Sequence, residues 1–415
     1  MESINWIINR RAWVDTHSKW PERVIPSDVP RVVRKFHEQI PGYHISPLKG
    51  LDRLASMLGV GGIWVKDESQ RLALNSFKVL GGSFAIYNVL RQRLGLLSRE
   101  VTLEELASPE VREKLGIITF ATATDGNHGR GVAWAAGKLG HRAVIYVPKG
   151  TAQARIDAIK SYGAEVTVID GNYDDAVDQI KEDARKQGWQ VVSDTAWEGY
   201  EDIPTWIMQG YTTLFSEAQE QMAAQGIIKP SHVFMQAGVG SLSASAVAFY
   251  ENLFGPKAPL FTIVEPTKAA CLFESARIGD GKPYKIEGDL NTIMAGLSCG
   301  RPNPIAWKIL WDCAHVFVSC PDFVAARGMR MYAVPLAGDP FVVSGESGAV
   351  TLGVFSLIMQ RPELTPLREK LGLGPDSQVL LVNSEGNTDP DDFRQVVWEG
   401  AHAVPQGFSV TQLNS

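Results

Sequence analysis

The chain has 415 residues, 45% of them hydrophobic and 21% charged. That composition excludes a disordered or fibrous protein and predicts about two domains with sizeable cores. Lys and Arg total 40 against 46 Asp and Glu, a net charge of −6, so no basic excess points to nucleic acid or an anionic membrane as partner.

In chain order, the first ~35 residues read as an arm, as do the last ~10. MESINWIINRR carries an acid at Glu2 and no small-residue cleavage pattern, which argues against an export signal. Ile63–Lys66 is a short strand, and Ser76–Leu94 has helical length with a Gly81–Gly82 pair near its start. Ser98–Glu113 is a polar surface helix or connection. Strand Ile117–Thr122 leads to the Ala- and Gly-rich helix Asn127–Leu139, and strand Ala143–Val147 to helix Ala152–Tyr162. Strand Glu165–Ile169, the amphipathic helix Tyr173–Gln187 and strand Gln190–Ser193 follow. Further strands fall at Val233–Gln236, Leu260–Val264, His315–Val318 and Val379–Val382. This alternation predicts an α/β protein, its mostly parallel sheets flanked by helices. Ile117–Ser193 reads as a compact inserted lobe, with a return crossing at 199–204.

Ser231–Tyr250 lacks Asp, Glu, Lys and Arg, but glycines, a Gln and serines break it. It reads as a buried strand, a glycine loop and a buried helix rather than a membrane span. Cys271, Cys299, Cys313 and Cys320 form neither a disulfide-dense scaffold nor a CxxC metal pair. They read as buried cytosolic thiols, with a Cys271–Cys299 bridge left open.

Five stretches carry chemical content. Asn75-Ser76-Phe77-Lys78 puts a lysine at a helix start among small and apolar neighbours. The positive end of a helix disfavours a surface cation, so the neighbours point to burial, which lowers an amine's pKa and suits it to Schiff-base chemistry. Thr122 to Gly131 (TATDGNHGRG) joins a strand to a helix and offers free N–H groups to an anion such as a carboxylate. There Asp125 is either a helix cap or a chemical group, and His128 reads as a packed residue at the joint. Gln236 to Ser241 (QAGVGS) is an incomplete GxGxxG, either a phosphate cup or a bare turn. Ser344 to Ala349 (SGESGA), with Glu346 in it, suits the face of a flat ring. Asn383 to Asp389 (NSEGNTD) follows the strand VLLV, where parallel sheets place ligands.

In this order the five resemble the fold type II pyridoxal-phosphate enzymes, which include the serine and threonine dehydratases, threonine synthase and the tryptophan synthase β-chain. A narrower resemblance, to the diaminopropionate ammonia-lyases, runs from about Phe36 to His402. It is carried by KDES and NSFK (66–78), ATATDGNHGRGVAWAA (121–136), DTAWEGY (194–200), IPTWIMQGY (203–211), IMAGLSCG (293–300), SGESGAV (344–350) and VVWEG (396–400).

The resemblance implies a two-lobed fold, with a large cofactor-binding domain from 1–85 and 206–415 and a small α/β domain from 86–205. It implies pyridoxal 5'-phosphate held by Lys78, with Gly238, Val239, Gly240 and Ser241 at the phosphate. Asn127 then meets O3′, Ser384 the pyridine nitrogen, and Glu346 joins the cofactor set. A neutral hydroxyl at that nitrogen favours β-elimination over transamination. Thr124, Asp125, Gly126, His128 and Asp194 are implied at the substrate, with Lys78, Asp125 and Asp194 catalytic and Trp197 and Tyr200 closing their loop over it. Asp125 stands where ordinary dehydratases carry a small residue, and a carboxylate there suits a substrate with a second ammonium group. The implied reaction converts D- and L-2,3-diaminopropionate to pyruvate and two ammonia, in a cytoplasmic homodimer.

Two rival enzyme readings remain open in the sequence, beside a non-catalytic ligand-binding relative, whose expected mark would be loss of the lysine that this chain keeps. One is a serine/threonine dehydratase-like lyase. The other is a nicotinamide-dependent dehydrogenase, since Glu265 ends a strand after GxG; but the third glycine is missing and the acid lies 27 positions past Gly238 rather than ~20.

Overall fold

The computed structural model describes residues 3–14 and 18–413, so Glu2 and the last two positions of the C-terminal arm lie outside it. The strands are β1 (Ser3–Ile8), β2 (Leu48–Gly50), β3 (Gly62–Asp67), β4 (Thr119–Ala123), β5 (Arg142–Pro148), β6 (Glu165–Ile169), β7 (Gln190–Val191), β8 (His232–Gln236), β9 (Leu260–Pro266), β10 (Val316–Cys320), β11 (Gln378–Asn383) and β12 (Ser409–Gln412). They form an eight-stranded sheet, β12-β1-β10-β9-β8-β11-β3-β2, and a four-stranded sheet, β6-β5-β4-β7. All neighbours run parallel except β1 with β10 and β2 with β3. In the large sheet Val65, Leu381 and Phe234 lie side by side across β3, β11 and β8.

The inner strands are unbroken apolar runs because helices cover both faces: β8 and β10 are buried at every position. Edge strand β6 is half open, and its Val168 is exposed. The small sheet draws only on residues 119–191, whereas positions 86 and 206 fall inside helices Lys78–Arg93 and Asp202–Ala224. Ser98–Glu113 folds as the short helix Leu103–Leu106 and most of a second, Pro109–Leu115, capped by Thr102 and Ser108. Ser231–Tyr250 folds as the buried strand, glycine turn and start of helix Ser241–Phe254 that its composition predicts. Among the described residues no helix is long and apolar enough to cross a membrane.

The arm expectation needs correction at both ends. β1 inserts between β10 and β12 with Ile4, Trp6 and Ile7 buried, and helix Val29–Glu38 packs on Asp202–Ala224. β12 pairs with β1 in parallel register, Ser409 beside Ser3. These strands are short, and their partners lie at the other end of the chain. Cys271 and Cys299 are likewise unbridged: all four cysteines are free and buried.

Two features fix the helix that starts at Lys78. Gly81 and Gly210 let it lie backbone to backbone on Asp202–Ala224; a Cβ on Gly210 would stand 2.6 Å from the Leu80 carbonyl. The second is a buried ion cluster beneath the segment leading to Lys78. Glu217 accepts hydrogen bonds from Lys66 Nζ at 2.6 Å, Arg71 Nη2 at 2.6 Å and Tyr43 Oη at 2.6 Å. Arg71 also donates Nε and Nη2 to Glu68, both at 2.8 Å, and Ser46 donates its hydroxyl to Glu68. Burial alone would raise the Glu217 pKa, but Arg71 and Lys66 outweigh it and hold the carboxyl near 2. Leu72, Ala73 and Asn75 follow at φ 50°, 58° and 52°, left-handed values that cost non-glycine residues about 1–3 kcal/mol each.

Breaking this cluster leaves buried cations without their shared anion. Glu217→Gln is expected to lose about 3–5 kcal/mol in urea unfolding. The Glu217 pKa lies below its ordinary 4.5 in the folded protein. Its contribution is therefore present above that value and lost as pH falls from 4.5 toward about 2. Glu217→Gln should flatten the acid limb of stability against pH; an unchanged limb would count against the assignment.

Candidate active site

The carboxyl ends of strands from both sheets meet in one cleft. The segment after β3 delivers Lys78, the turn after β4 Asp125 to His128, the turn after β8 Gly238 to Ser241, and the turn after β11 Ser384 and Glu385. The cleft encloses about 630 Å³ with its mouth. Parallel sheets gather ligand sites here because helix N-termini and their unpaired N–H groups point the same way.

Lys78 Nζ donates to Asp194 Oδ2 at 2.5 Å. Asp194 Oδ1 accepts from Tyr173 Oη at 3.2 Å. Its backbone carbonyl accepts from Ser241 Oγ at 2.6 Å and Asn303 Nδ2 at 3.1 Å. Burial pulls the Lys78 pKa down, but attraction to Asp194, Tyr211 and Asp125 leaves it above the ordinary lysine value. The expectation of a lowered amine pKa is thereby corrected: burial acts as expected, and the ion pair overrides it. Asp194 goes the other way. Burial would raise it, yet Lys78 and His128 hold it near 2. Asp125, half-buried in the cleft wall, has no ion pair so close, and desolvation there raises its pKa against the pull of Lys78 and Arg155.

Asp125 is not a helix cap. The helix begins at Asn127 after Gly126, which has φ 143°, with no side-chain cap bond. Thr124 Oγ1 accepts the N–H groups of Gly126 and Gly129, both at 2.9 Å, and so braces the turn. Neither Thr124 nor Gly126 lines the cleft, whereas Asp125, Asn127 and His128 do. His128 Nε2 donates to the Val192 carbonyl at 2.7 Å, and burial lowers its pKa, as suits a packed neutral imidazole. Asn127 donates Nδ2 to Glu385 Oε2 at 2.5 Å.

Glu346 is not brought to this wall. It turns into an adjoining cleft beside Arg155, and the next residue, Ser347, lines the site instead. Trp197 and Tyr200 do not cover the cleft either. They stack on each other at 4.0 Å against an outer groove, and Tyr200 Oη takes the Ser193 N–H at 2.8 Å. Their stack braces the Asp194 loop from outside. Glu265 accepts the Leu272 and Phe273 N–H groups at 2.9 and 2.7 Å, so the carboxylate of the dehydrogenase reading is engaged in capping helix Cys271–Ile278.

Glu385, Tyr173, Ser347, Asn303 and Arg155 were not singled out from sequence. Glu385 lay inside the NSEGN stretch that was, one position past Ser384. Besides Asn127 of the turn after β4, it accepts the Ser347 N–H at 3.2 Å and the Thr388 hydroxyl at 3.3 Å, tying the turn after β11 to the β4 turn and to the start of helix Glu346–Gln360.

The cleft suits a phosphorylated aromatic aldehyde. Among the described residues, none of the N–H groups of Gly238, Val239, Gly240 and Ser241 has a protein acceptor. A Cβ on Gly238 would stand 3.1 Å from Cys299 Sγ and 3.3 Å from the Gly296 carbonyl, so only glycine keeps this cup open. Ser347 Oγ, Gln236 Oε1 and His128 Nδ1 are buried without partners, and buried polar atoms in that condition mark places where a partner belongs.

Comparison with known proteins agrees with this chemistry. Residues 40–385 match the family described as "Pyridoxal-phosphate dependent enzyme". The diaminopropionate ammonia-lyase of Escherichia coli K12 is 50% identical over 374 residues, 90% of this chain and 92% of the relative. That of Salmonella typhimurium LT2 is 45% identical over 381 residues, 92% of this chain and 94% of the relative. The crystal structure of the E. coli lyase in complex with an aminoacrylate-PLP azomethine reaction intermediate superposes with a TM-score of 0.88 at 46% identity, covering 98% of this chain and 99% of that one. The glycine cup, the lysine at the mouth of its helix and these likenesses together make the chain a member of the pyridoxal-phosphate dependent enzyme family, within its diaminopropionate ammonia-lyase branch.

Proposed function

We propose that the protein eliminates ammonia from both isomers of 2,3-diaminopropionate, giving pyruvate and a second ammonia. The observation that carries this reading is one cleft that gathers Lys78, Asp125 and Asp194 beside an open glycine cup, with Lys78 Nζ on Asp194 Oδ2 at 2.5 Å. Pyridoxal phosphate, when bound, supplies the electron sink that makes the substrate's α-hydrogen acidic. Lys78 would hold its aldehyde carbon, the N–H groups of Gly238 to Ser241 its phosphate, Asn127 its phenolic oxygen and Ser384 its ring nitrogen.

The other groups set where protons go. Asp194 stays ionised beside the Lys78 nitrogen and orients it. Once Lys78 is free and neutral, its amine takes the α-proton of the L-isomer. Asp125 faces the D-isomer's α-proton from the opposite side, and its raised pKa makes it a better proton acceptor than an ordinary carboxylate. Within the Thr124–His128 turn, the N–H groups of Asp125, Asn127 and His128 receive the α-carboxylate, since those of Thr124 and Gly126 are spent on the Tyr146 carbonyl and Thr124 Oγ1. In this division the small domain, 86–205, carries Asp125, Asn127 and Asp194, and the large one Lys78 and the glycine cup. A serine dehydratase needs no acid at position 125, and comparing ammonia release from diaminopropionate and from serine tests that rival. We also place the protein in the cytoplasm as a homodimer. The four free buried thiols support a reducing compartment, and light scattering at twice the chain mass would bear out the dimer.

Lys78→Ala should lose the visible absorption of the bound cofactor and all ammonia release; a variant that keeps the band removes Lys78 from this role. Asp125→Asn should depress D-isomer turnover by about 10²–10⁴-fold while sparing the L-isomer. Because the base must be ionised, D-isomer kcat/KM should fall as pH drops through the raised Asp125 pKa. Equal losses on both isomers would refute the division of labour.

A further inference from the structure

Beyond Asp125 and Tyr173, which face both spaces, the site opens into a second cleft of about 1270 Å³ with its mouth. Its charged walls are unequal. Asp289, Asp389 and Asp392 stand around it, with Glu346 buried deeper. The cations there are Lys149, which is exposed and paired with Asp170 at 2.9 Å, and Arg155.

Arg155 is the unusual member. It is 6% exposed, and among the described residues its one ion pair is a long contact of 3.5 Å to Glu346. Its Nε–H is buried with no partner, and Asp392 Oδ2 is buried without one too. A guanidinium withdrawn from water with a donor unfilled is costly, and its planar fork matches a carboxylate. The side chain lies over the turn expected to receive the substrate's α-carboxylate: a Cβ on Gly126 would meet Arg155 Cδ at 3.0 Å.

We propose that this outer cleft sorts substrates by charge pattern before they reach Lys78. Arg155, with the backbone of the 124–128 turn, draws a carboxylate to the floor, and the Asp289, Asp389 and Asp392 rim draws ammonium groups. A molecule with one carboxylate and two ammonium groups keeps a positive charge for the rim when its carboxylate meets the floor; a hydroxyl amino acid has one ammonium against its carboxylate and no net charge for the rim to draw. This rests on the function proposed above and names residues that would enforce its substrate class. Walls of one sign in a low-dielectric cleft focus the field on an incoming ion, and salt weakens that attraction over a Debye length of about 8–10 Å.

The test uses holoenzyme and two probes: kcat/KM for diaminopropionate, and the inhibition constant of D-serine against it, each at low and high ionic strength. Asp289→Asn with Asp392→Asn should lower kcat/KM for diaminopropionate about three- to ten-fold, flatten its salt dependence, and move the D-serine constant by less than about two-fold. Arg155→Gln should weaken both ligands about ten-fold or more, since both carry the carboxylate. Equal shifts for the two ligands in the rim variant, an unchanged salt dependence, or an Arg155→Gln enzyme that binds both normally would overturn the sorting role while leaving the elimination intact. Absence of any turnover of diaminopropionate by the unaltered holoenzyme would instead overturn the function itself.

Discussion

The ion pair between Lys78 and Asp194 governs the site. Lys78 is delivered by the large sheet and Asp194 by the loop after the small one, so the contact spans the two sheets and is held by residues from both. Its contribution is electrical more than structural, since a buried pair repays its desolvation only when geometry and further hydrogen bonds are good. Here Tyr173 completes the carboxylate, and Ser241 and Asn303 grip its backbone. With Asp194 committed to the amine, Asp125 is left as the carboxyl with an appetite for protons. Environments that push two like groups apart in this way are how one pocket carries both an acid and a base.

Much of the cleft was legible in the sequence because its parts are local. A glycine turn after a strand, a lysine opening a helix and an Asn-His pair at a strand end each announce themselves within ten residues. What escaped depends on distance or on angle. The sign of the Lys78 shift turns on a partner 116 positions away. Glu346 and Ser347 were exchanged as wall residues because successive side chains at a helix start diverge by ~100°. Glu385 lines the cleft together with Ser384, and its role escaped because it rests on Asn127, 258 positions away. Strands β1, β2 and β12 escaped because they are short and their pairing comes from remote segments, which outweighs local preference. The interior strands were readable, since a strand buried on both faces is apolar throughout.

The segment before Lys78 shows how such a site is kept in place. Three non-glycine residues sit in left-handed conformations between Leu72 and Asn75. Unsupported, that backbone would relax. It is held at one end by the Arg71–Glu217–Lys66 cluster and at the other by pairing with the turn after β11, where Phe77 N–H meets the Ser384 carbonyl at 3.2 Å and Gly386 N–H the Asn75 carbonyl at 2.9 Å. Backbone strain of this kind persists where the surroundings over-determine it, and it gathers at working sites.

The contact of Gly81 with Gly210 means that the reach of the reactive amine is set from behind. A methyl group at Gly210 would press on the Leu80 carbonyl, one turn into the helix that starts at Lys78, and that helix could yield only by lifting away. Inactivating lesions in this enzyme need not cluster around the cleft: a random screen should also recover them on its hidden rear wall, in proteins whose catalytic side chains are all intact.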